Sequence, residues 1–518
     1  MRRDGPASLS APALERYGRG MLVGLVCLGL LLGLAFQGSR GLWSPDEGRY
    51  VDGALQMLDS GNYLVPAYSP DEVNLSKPPA TYWVIAASIK VFGRNEWAAR
   101  LPNALFYLAT ILALYGMGKL LLPGKPWLPG LVYGCSALPF VAANIVTTDV
   151  LLTLCEAVAM YGFLNFAVGS PDRARRSLLW MWAGWGAAFL VKGPPGLLPL
   201  LAIIPFTIVR DGWRSLAKLF PLAGIALFLA IGLSWYAIVV ARIPSALHYF
   251  LHGEVYNRVF TSVQHRNSGP IKWAAVYLPT IVFGVLPWWR SLGRTCVAFF
   301  SSKRSKSAAS DDGSIRLLLA LWFFFPFVVF CLAQSRLPFY LLPLFTPLAL
   351  AFALDLRDKA DWHDRRQRAW MLVWVVALLA LKAGVAYGVH PSLDNRASAH
   401  RLLSATDPKS YSAVVFVEDT AVAYEIEEDT PWGIRLYLGK PVYGIAWDSP
   451  QGRAALCSAL QRSGSALLAI DRNLASRFSF LALSDCAPVS ATDLGEWEQR
   501  SLKLVRVDIR HDSRTGAD

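Results

Sequence analysis

Apolar runs of membrane-crossing length dominate this chain. They lie near residues 20–37, 101–121, 127–143, 150–168, 177–191, 194–210, 217–241, 273–289, 315–333, 338–355 and 369–389. A spanning helix needs roughly 20 mostly apolar residues, so the sequence predicts a polytopic α-helical membrane protein of about 11 spans, or up to about 13 if Pro-broken runs are divided. The composition agrees. The chain is 54% hydrophobic and 17% charged, whereas a soluble domain carries about 25% charge. A soluble enzyme and a disordered chain are thereby excluded.

The basic residues test the span count. They cluster at Arg2, Arg3, Arg16 and Arg19, at Lys119 and Lys125, at Arg173, Arg175 and Arg176, and at Arg210, Arg214 and Lys218. Two further clusters are Arg290, Arg294, Lys303, Arg304 and Lys306, then Arg357, Lys359, Arg365, Arg366 and Arg368. With eleven spans all of these fall on one side, which the positive-inside rule makes cytoplasmic. The net charge of +13 therefore reflects topology and not a nucleic-acid partner. The N-terminus is expected to be cytoplasmic, and residues from 390 onward outside. The run 80–92 is only 13 residues long, which suits an interfacial helix better than a span.

Two domains are expected: a transmembrane domain over 1–390, with long outer loops at 38–100 and 242–272, and a small α/β domain over 391–518. In the latter, 413–417, 466–470 and 502–509 look like strands and 450–463 like a helix. Its Cys457 and Cys486 form either a disulfide, if the compartment is oxidising, or two separate thiols.

The outer segments hold the chemistry. Asp46 and Glu47 follow Ser44-Pro45 and precede Arg49. They suit a capped helix start, yet adjacent carboxylates at a membrane boundary are expensive unless used. Lys77 stands before Pro78-Pro79, either as a snorkelling lysine or as a cation for phosphate. Asp149 closes a short outer turn as a helix cap or a site carboxylate, and Lys192 is the lone charge of another turn. Glu254 and Arg258 are four residues apart and share a helix face. Arg336 and Tyr340 lie in a Pro-broken outer turn, and Arg100 ends the first loop. His252 and His265, with Asp46 or Glu254, leave a divalent metal ion as an open alternative. Carboxylates, cations and tyrosines gathered on one membrane face suit an amphiphile with an anionic head. No Walker A or GxGxxG motif is present, so a lipid-linked sugar phosphate is a better donor than a nucleotide. A lipid flippase or transporter would instead favour ionisable residues within spans and inverted repeats.

The motifs Asp46-Glu47-x-Arg49-Tyr50, Lys77-Pro78-Pro79, Tyr82-Trp83, Phe92-Gly93, Arg100-Leu101-Pro102, Thr148-Asp149, Lys192-Gly193-Pro194 and Arg336-Leu337-Pro338-x-Tyr340 resemble the aminoarabinose (lipid A) transferase and protein O-mannosyltransferase superfamily. Its members are GT-C fold glycosyltransferases that use polyprenyl-phosphate sugars. The resemblance implies that Asp46 and Glu47 form the acidic motif of the active site, with Asp149 as a further carboxylate. It implies that Lys77, Arg258 and Tyr340 contact the lipid phosphate. Aminoarabinose transferases usually carry an acidic residue before Lys-Pro-Pro, where this chain has Ser76. The implied protein is a bacterial inner-membrane enzyme, with its C-terminal domain periplasmic. It would take sugar from undecaprenyl phosphate to lipid A or, as the alternative, to a protein or polysaccharide.

The topology is tested by fused reporters: one after Gln264 should report the outside and one after Lys303 the cytoplasm. The same side for both would contradict eleven spans.

Overall fold

The computed structural model describes residues 11–69, 72–257, 261, 267–301, 311–388, 393–421, 423–449, 451–478, 486–497 and 501–509. The first half contains helices α1 (Ala11–Leu34), α2 (Asp46–Ser60), α3 (Ala80–Phe92), α4 (Glu96–Leu121), α5 (Leu128–Cys135), α6 (Ala137–Ala143), α7 (Thr148–Val168) and α8 (Ala174–Lys192). The chain divides into two compact units, one of residues 1–35 with 100–383, the other of 36–99 with 384–518.

The first unit is helical. Among the described residues, seven helices are long and apolar enough to cross a membrane: Glu96–Leu121, Thr148–Val168, Pro194–Asp211, Leu222–Arg242, Gly313–Leu332, Pro338–Leu356 and Arg365–Tyr387. The other four expected spans take different forms. The apolar part of α1 is Gly18–Leu34. The 127–143 run breaks at Ser136, whose extended backbone separates α5 from α6. Over 177–191 the chain forms α8, where Trp and small residues stand in for aliphatics. The 273–289 run yields a 13-residue helix, Lys272–Gly284. The 80–92 segment is a single helix of the expected length, α3.

Loops expected on the same side of the membrane meet one another. At one end Lys125 Nζ donates to Arg357 O at 2.8 Å, and Arg294 pairs with Asp355 at 2.6 Å. At the other, Asn103 Nδ2 donates to Ile145 O at 2.7 Å, and Asn267 Nδ2 to Arg336 O at 3.0 Å.

Small residues let α7 and α8 approach closely. A Cβ on Gly184 would lie 2.7 Å from Ala159 N, and one on Gly162 would lie 2.6 Å from Met181 N. Small residues at such contacts are the usual way for helices to associate in lipid. A buried lysine also joins the last helix to the first: Lys382 Nζ donates to Leu32 O and Gly33 O, both at 2.9 Å. These carbonyls belong to the end of α1, where backbone acceptors lack helical partners.

The second unit is α/β. Its five-stranded sheet has the order β4 (Val442–Ala446), β3 (Ala413–Glu418), β5 (Ser465–Asp471), β7 (Leu502–Ile509), β6 (Val489–Trp497), counting β1 (Ala67–Ser69) and β2 (Glu72–Val73) as a separate pair. β3 runs parallel to β4 and β5, whereas β7 is antiparallel to β5 and β6. Val414 and Phe416 face one core, and Val415 and Val417 face the other. A strand buried on both faces reads as a continuous apolar run, which explains 413–417. The helix Gly452–Ser463 supplies Leu456 and Leu460 to one core. The other core includes Tyr68 from the first outer loop, stacked on Trp432 with ring centroids 4.7 Å apart. Cys457 and Cys486 form a disulfide.

Candidate active site

The expected site residues divide between the units. Asp149, Lys192, Tyr340, Arg336, Arg100 and Glu254 belong to the helical unit, and Asp46, Glu47, Arg49 and Lys77 to the α/β unit. Arg258 and His265 lie outside the described residues.

In the helical unit, α7 begins at Thr148 and presents Asp149 in its first turn, where a carboxylate favours the helix dipole. α8 ends at Lys192, and Gly193 then adopts φ +70°, a left-handed value that glycine takes without a Cβ penalty. This turn brings Lys192 Nζ to 2.5 Å from Asp149 Oδ1, with both side chains under 10% exposed. The same ammonium stands 4.2 Å from the ring centroid of Tyr340, in the 3₁₀ turn Pro338–Leu344. Three of the expected residues therefore form one cluster of anion, cation and aromatic face.

Arg336 has a different setting from that expected of a phosphate ligand. Its Nη1 donates to Asn267 O at 2.9 Å and Gly269 O at 2.8 Å, and its Nη2 to Cys331 O at 3.0 Å. These bonds pin the 267–269 loop to the 331–336 segment. Arg100 is buried in α4. Glu254 accepts from Tyr249 Oη at 3.3 Å. His252 is exposed, in a ring stack with His248 and Tyr256 at 5.1 Å each. Among the described residues, no group of three His, Cys, Asp or Glu side chains is placed to hold a metal ion.

In the α/β unit the Asp-Glu-Gly-Arg motif opens α2, and each member has a distinct partner. Glu47 is buried. It accepts from Trp43 N at 2.9 Å and Arg40 Nη1 at 2.6 Å, so its carboxylate ties the start of α2 to the turn before it. Ser44 Oγ donates to Asn395 Oδ1 at 3.2 Å instead of capping the helix. Gly48 packs on Gly433, whose N would lie 2.7 Å from an added Cβ. Arg49 binds Asp46 Oδ1 at 2.5 Å and Glu428 Oε1 at 2.9 Å. Asp46 keeps 37% side-chain exposure and is the open member of the motif. Lys77 Nζ donates to Ser76 O at 2.7 Å. Ser76 in turn bonds Asn74 Oδ1 through its N at 3.0 Å and its Oγ at 2.5 Å.

Several participants were not apparent from sequence. Glu428 and Arg435 lie in the tail, nearly 400 residues from α2, and no short-range pattern links them. Arg435 bridges Asp52 at 3.3 Å and Asp59 at 2.9 Å, which lie on one face of α2. Glu156, on the same face of α7 as Asp149, is 4% exposed. Its signal was a carboxylate inside an apolar run.

The residues 76–237 match the family model for dolichyl-phosphate-mannose-protein mannosyltransferase, a stretch that includes Lys77, Asp149 and Lys192. An undecaprenyl phosphate-alpha-4-amino-4-deoxy-L-arabinose arabinosyl transferase of Pseudomonas fluorescens is 31% identical over 360 residues, 68% of this chain and 62% of that one. Its counterpart from Proteus mirabilis is 29% identical over 65% of this chain and 60% of that one. The match thus spans about three fifths of these relatives' lengths. The crystal structure of ArnT from Cupriavidus metallidurans bound to undecaprenyl phosphate superposes with a TM-score of 0.71 at 20% identity, over 96% of this chain and 99% of that one. The likeness shows that this chain shares the fold of ArnT. Its fold is the ArnT-like form of GT-C. An archaeal oligosaccharyltransferase from Archaeoglobus fulgidus shares the fold more distantly, with a TM-score of 0.52 at 11% identity over 89% of this chain and 70% of that one.

Within the α/β unit the α2 helix carries its own pH dependence. Burial pushes the Asp52 carboxyl up to about 7, against the opposing pull of Arg435, and among the described residues Asp52 Oδ2 has no hydrogen-bond partner. In an unfolded chain an Asp titrates near roughly 3.9. The fold therefore binds this proton more tightly than the unfolded chain does. The resulting stabilisation is complete below about pH 4 and is lost as pH rises through about 7. The unfolding temperature should fall across that window, and Asp52→Asn should flatten the fall. Thermal scans of both proteins check this, and an unaltered slope in Asp52→Asn would contradict it.

Proposed function

We propose that this chain is a polyprenyl-phosphate-sugar glycosyltransferase of the bacterial inner membrane. It moves an aminoarabinose-type sugar from undecaprenyl phosphate to lipid A on the periplasmic face. The observation that carries this reading is the buried Lys192 ammonium, held at 2.5 Å by Asp149 and covered by Tyr340, in a chain similar to transferases named for that donor. We assign eleven spans, a cytoplasmic N-terminus, a transmembrane domain over 1–390 and a periplasmic domain over 391–518. The parity of the basic loops supports that arrangement.

The chemistry follows from charge. An acceptor oxygen bonds to the anomeric carbon as the bond from that carbon to the carrier phosphate oxygen breaks. The carrier phosphate passes from a diester with one negative charge to a monoester that gains a second. A fixed cation then binds the leaving phosphate more strongly in the transition state than in the bound donor, which is the condition for accelerating the step. Lys192 fills that role in this reading, with Lys77, Arg258 and Tyr340 as further phosphate contacts. Asp149 fixes the ammonium. Arg49 sets the direction of Asp46, and Glu47 holds the turn that precedes it. A lipid A phosphate is already anionic and needs no base, so Asp46 orients and balances charge.

The family-model match to protein mannosyltransferases favours a second reading, in which a Ser or Thr hydroxyl is the acceptor. That hydroxyl loses a proton on attack, and Asp46 would then act as general base, a contribution of about 10²–10⁴-fold.

Purified protein in nanodiscs, given undecaprenyl-phosphate aminoarabinose and lipid A, should add one aminoarabinose mass to lipid A. Lys192→Met should lower turnover by about 10–150-fold, the loss of one charge-assisted contact. Transfer to a Ser/Thr peptide but not to lipid A would favour the second reading. Unaltered turnover in Lys192→Met would remove Lys192 from the site.

A further inference from the structure

The proposed chemistry uses Asp149 and Lys192 but leaves Glu156 without a role. Glu156 lies seven residues further along α7, two turns and about 10 Å deeper into the helix, on the face that carries Asp149. It is 4% exposed. Among the described residues no hydrogen bond reaches its carboxylate, and it interacts electrostatically with Lys192 and Asp149. The Lys192 ammonium is already engaged by Asp149 and by the Tyr340 ring. Two carboxylates thus share one cation in a buried, membrane-embedded region.

Such an imbalance is costly. Ionisable residues within spans pair with a counter-charge or mark the path of a substrate. A buried carboxylate without a partner carries a large desolvation penalty. Nearby, Tyr277 Oη is buried with no hydrogen-bond partner among the described residues, in electrostatic reach of Tyr340 and Asp149. A carboxylate that shares its one cation and a hydroxyl without a hydrogen bond among the described residues suit a ligand that bears both an ammonium group and hydroxyls.

We propose that Glu156 is the counter-charge for a protonated amine on the transferred sugar and so sets the preference for an amino sugar over a neutral one. This rests on the donor reading above, with the donor phosphate at Lys192. In a 4-amino-4-deoxy pyranose the amine lies across the ring from the anomeric carbon that bears the phosphate. A phosphate at Lys192 therefore points the amine away from the phosphate site, and Glu156 supplies the anion along α7. A neutral hydroxyl in place of the amine gains no ion pair there.

The test compares two donors on the same carrier, undecaprenyl-phosphate 4-amino-4-deoxy-L-arabinose and undecaprenyl-phosphate L-arabinose, in wild type and in Glu156→Gln. Gln preserves the shape of a neutral carboxyl, so a purely structural Glu156 would tolerate it. The amino donor should lose about 10–100-fold in kcat/KM, the scale of one charge-assisted contact. The neutral donor should change little. Glu156→Asp keeps the charge and should retain the preference, which keeps the test decisive if Glu156→Gln does not fold. Equal losses for both donors, no loss for either, or a Glu156→Asp protein that treats both donors alike would overturn this inference alone. A wild type that uses neither donor would defeat the donor reading and this inference with it.

Discussion

The ion pair between Lys192 and Asp149 is the constraint on which the helical unit turns. Taking two charges out of water costs several kcal/mol per ion, and only good geometry offsets it. Here the geometry is set by backbone features: the first turn of α7, the left-handed Gly193 after α8, and the Gly184 and Gly162 contacts that let the helices touch. A larger residue at either contact would separate the helices and with them the two charges. A pair of this kind contributes little net stability, which argues for retention through function.

Arginines do comparable work in the α/β unit. Arg49 joins Asp46 to Glu428, and Arg435 joins Asp52 and Asp59 to the tail. Asp59 also pairs with Arg94, and although burial opposes ionisation, the bonds from Arg94 and Arg435 draw its carboxyl below the usual carboxylate range. The tail therefore does more than add a domain: it completes the packing of α2, the helix that bears the acidic motif. Gly48 on Gly433 and Tyr68 on Trp432 are the uncharged part of the same contact.

Sequence periodicity revealed the helical character, the short helix α3 and three strands of the sheet, because each rests on local pattern. Asp149, Lys192 and Tyr340 were legible as charges and a phenol out of place at span ends. The union of 36–99 with the tail was not legible, since the partners Arg49 and Glu428 are 379 residues apart. The clasp made by Arg336 escaped notice because a buried arginine bound to backbone carbonyls looks, in sequence, like one awaiting phosphate. Glu156 was passed over inside an apolar run, and its meaning depends on the charges around it.

A double-mutant cycle on donor use tests the central pair most directly. Asp149→Asn, Lys192→Met and the double variant are compared by kcat/KM for the undecaprenyl-phosphate sugar. If the two side chains act as one unit, the double variant should lose little more than Lys192→Met alone, giving a coupling of about 1–3 kcal/mol. Losses that add to within about 0.5 kcal/mol would mean that Asp149 and Lys192 act independently, and would contradict a site built on their pairing.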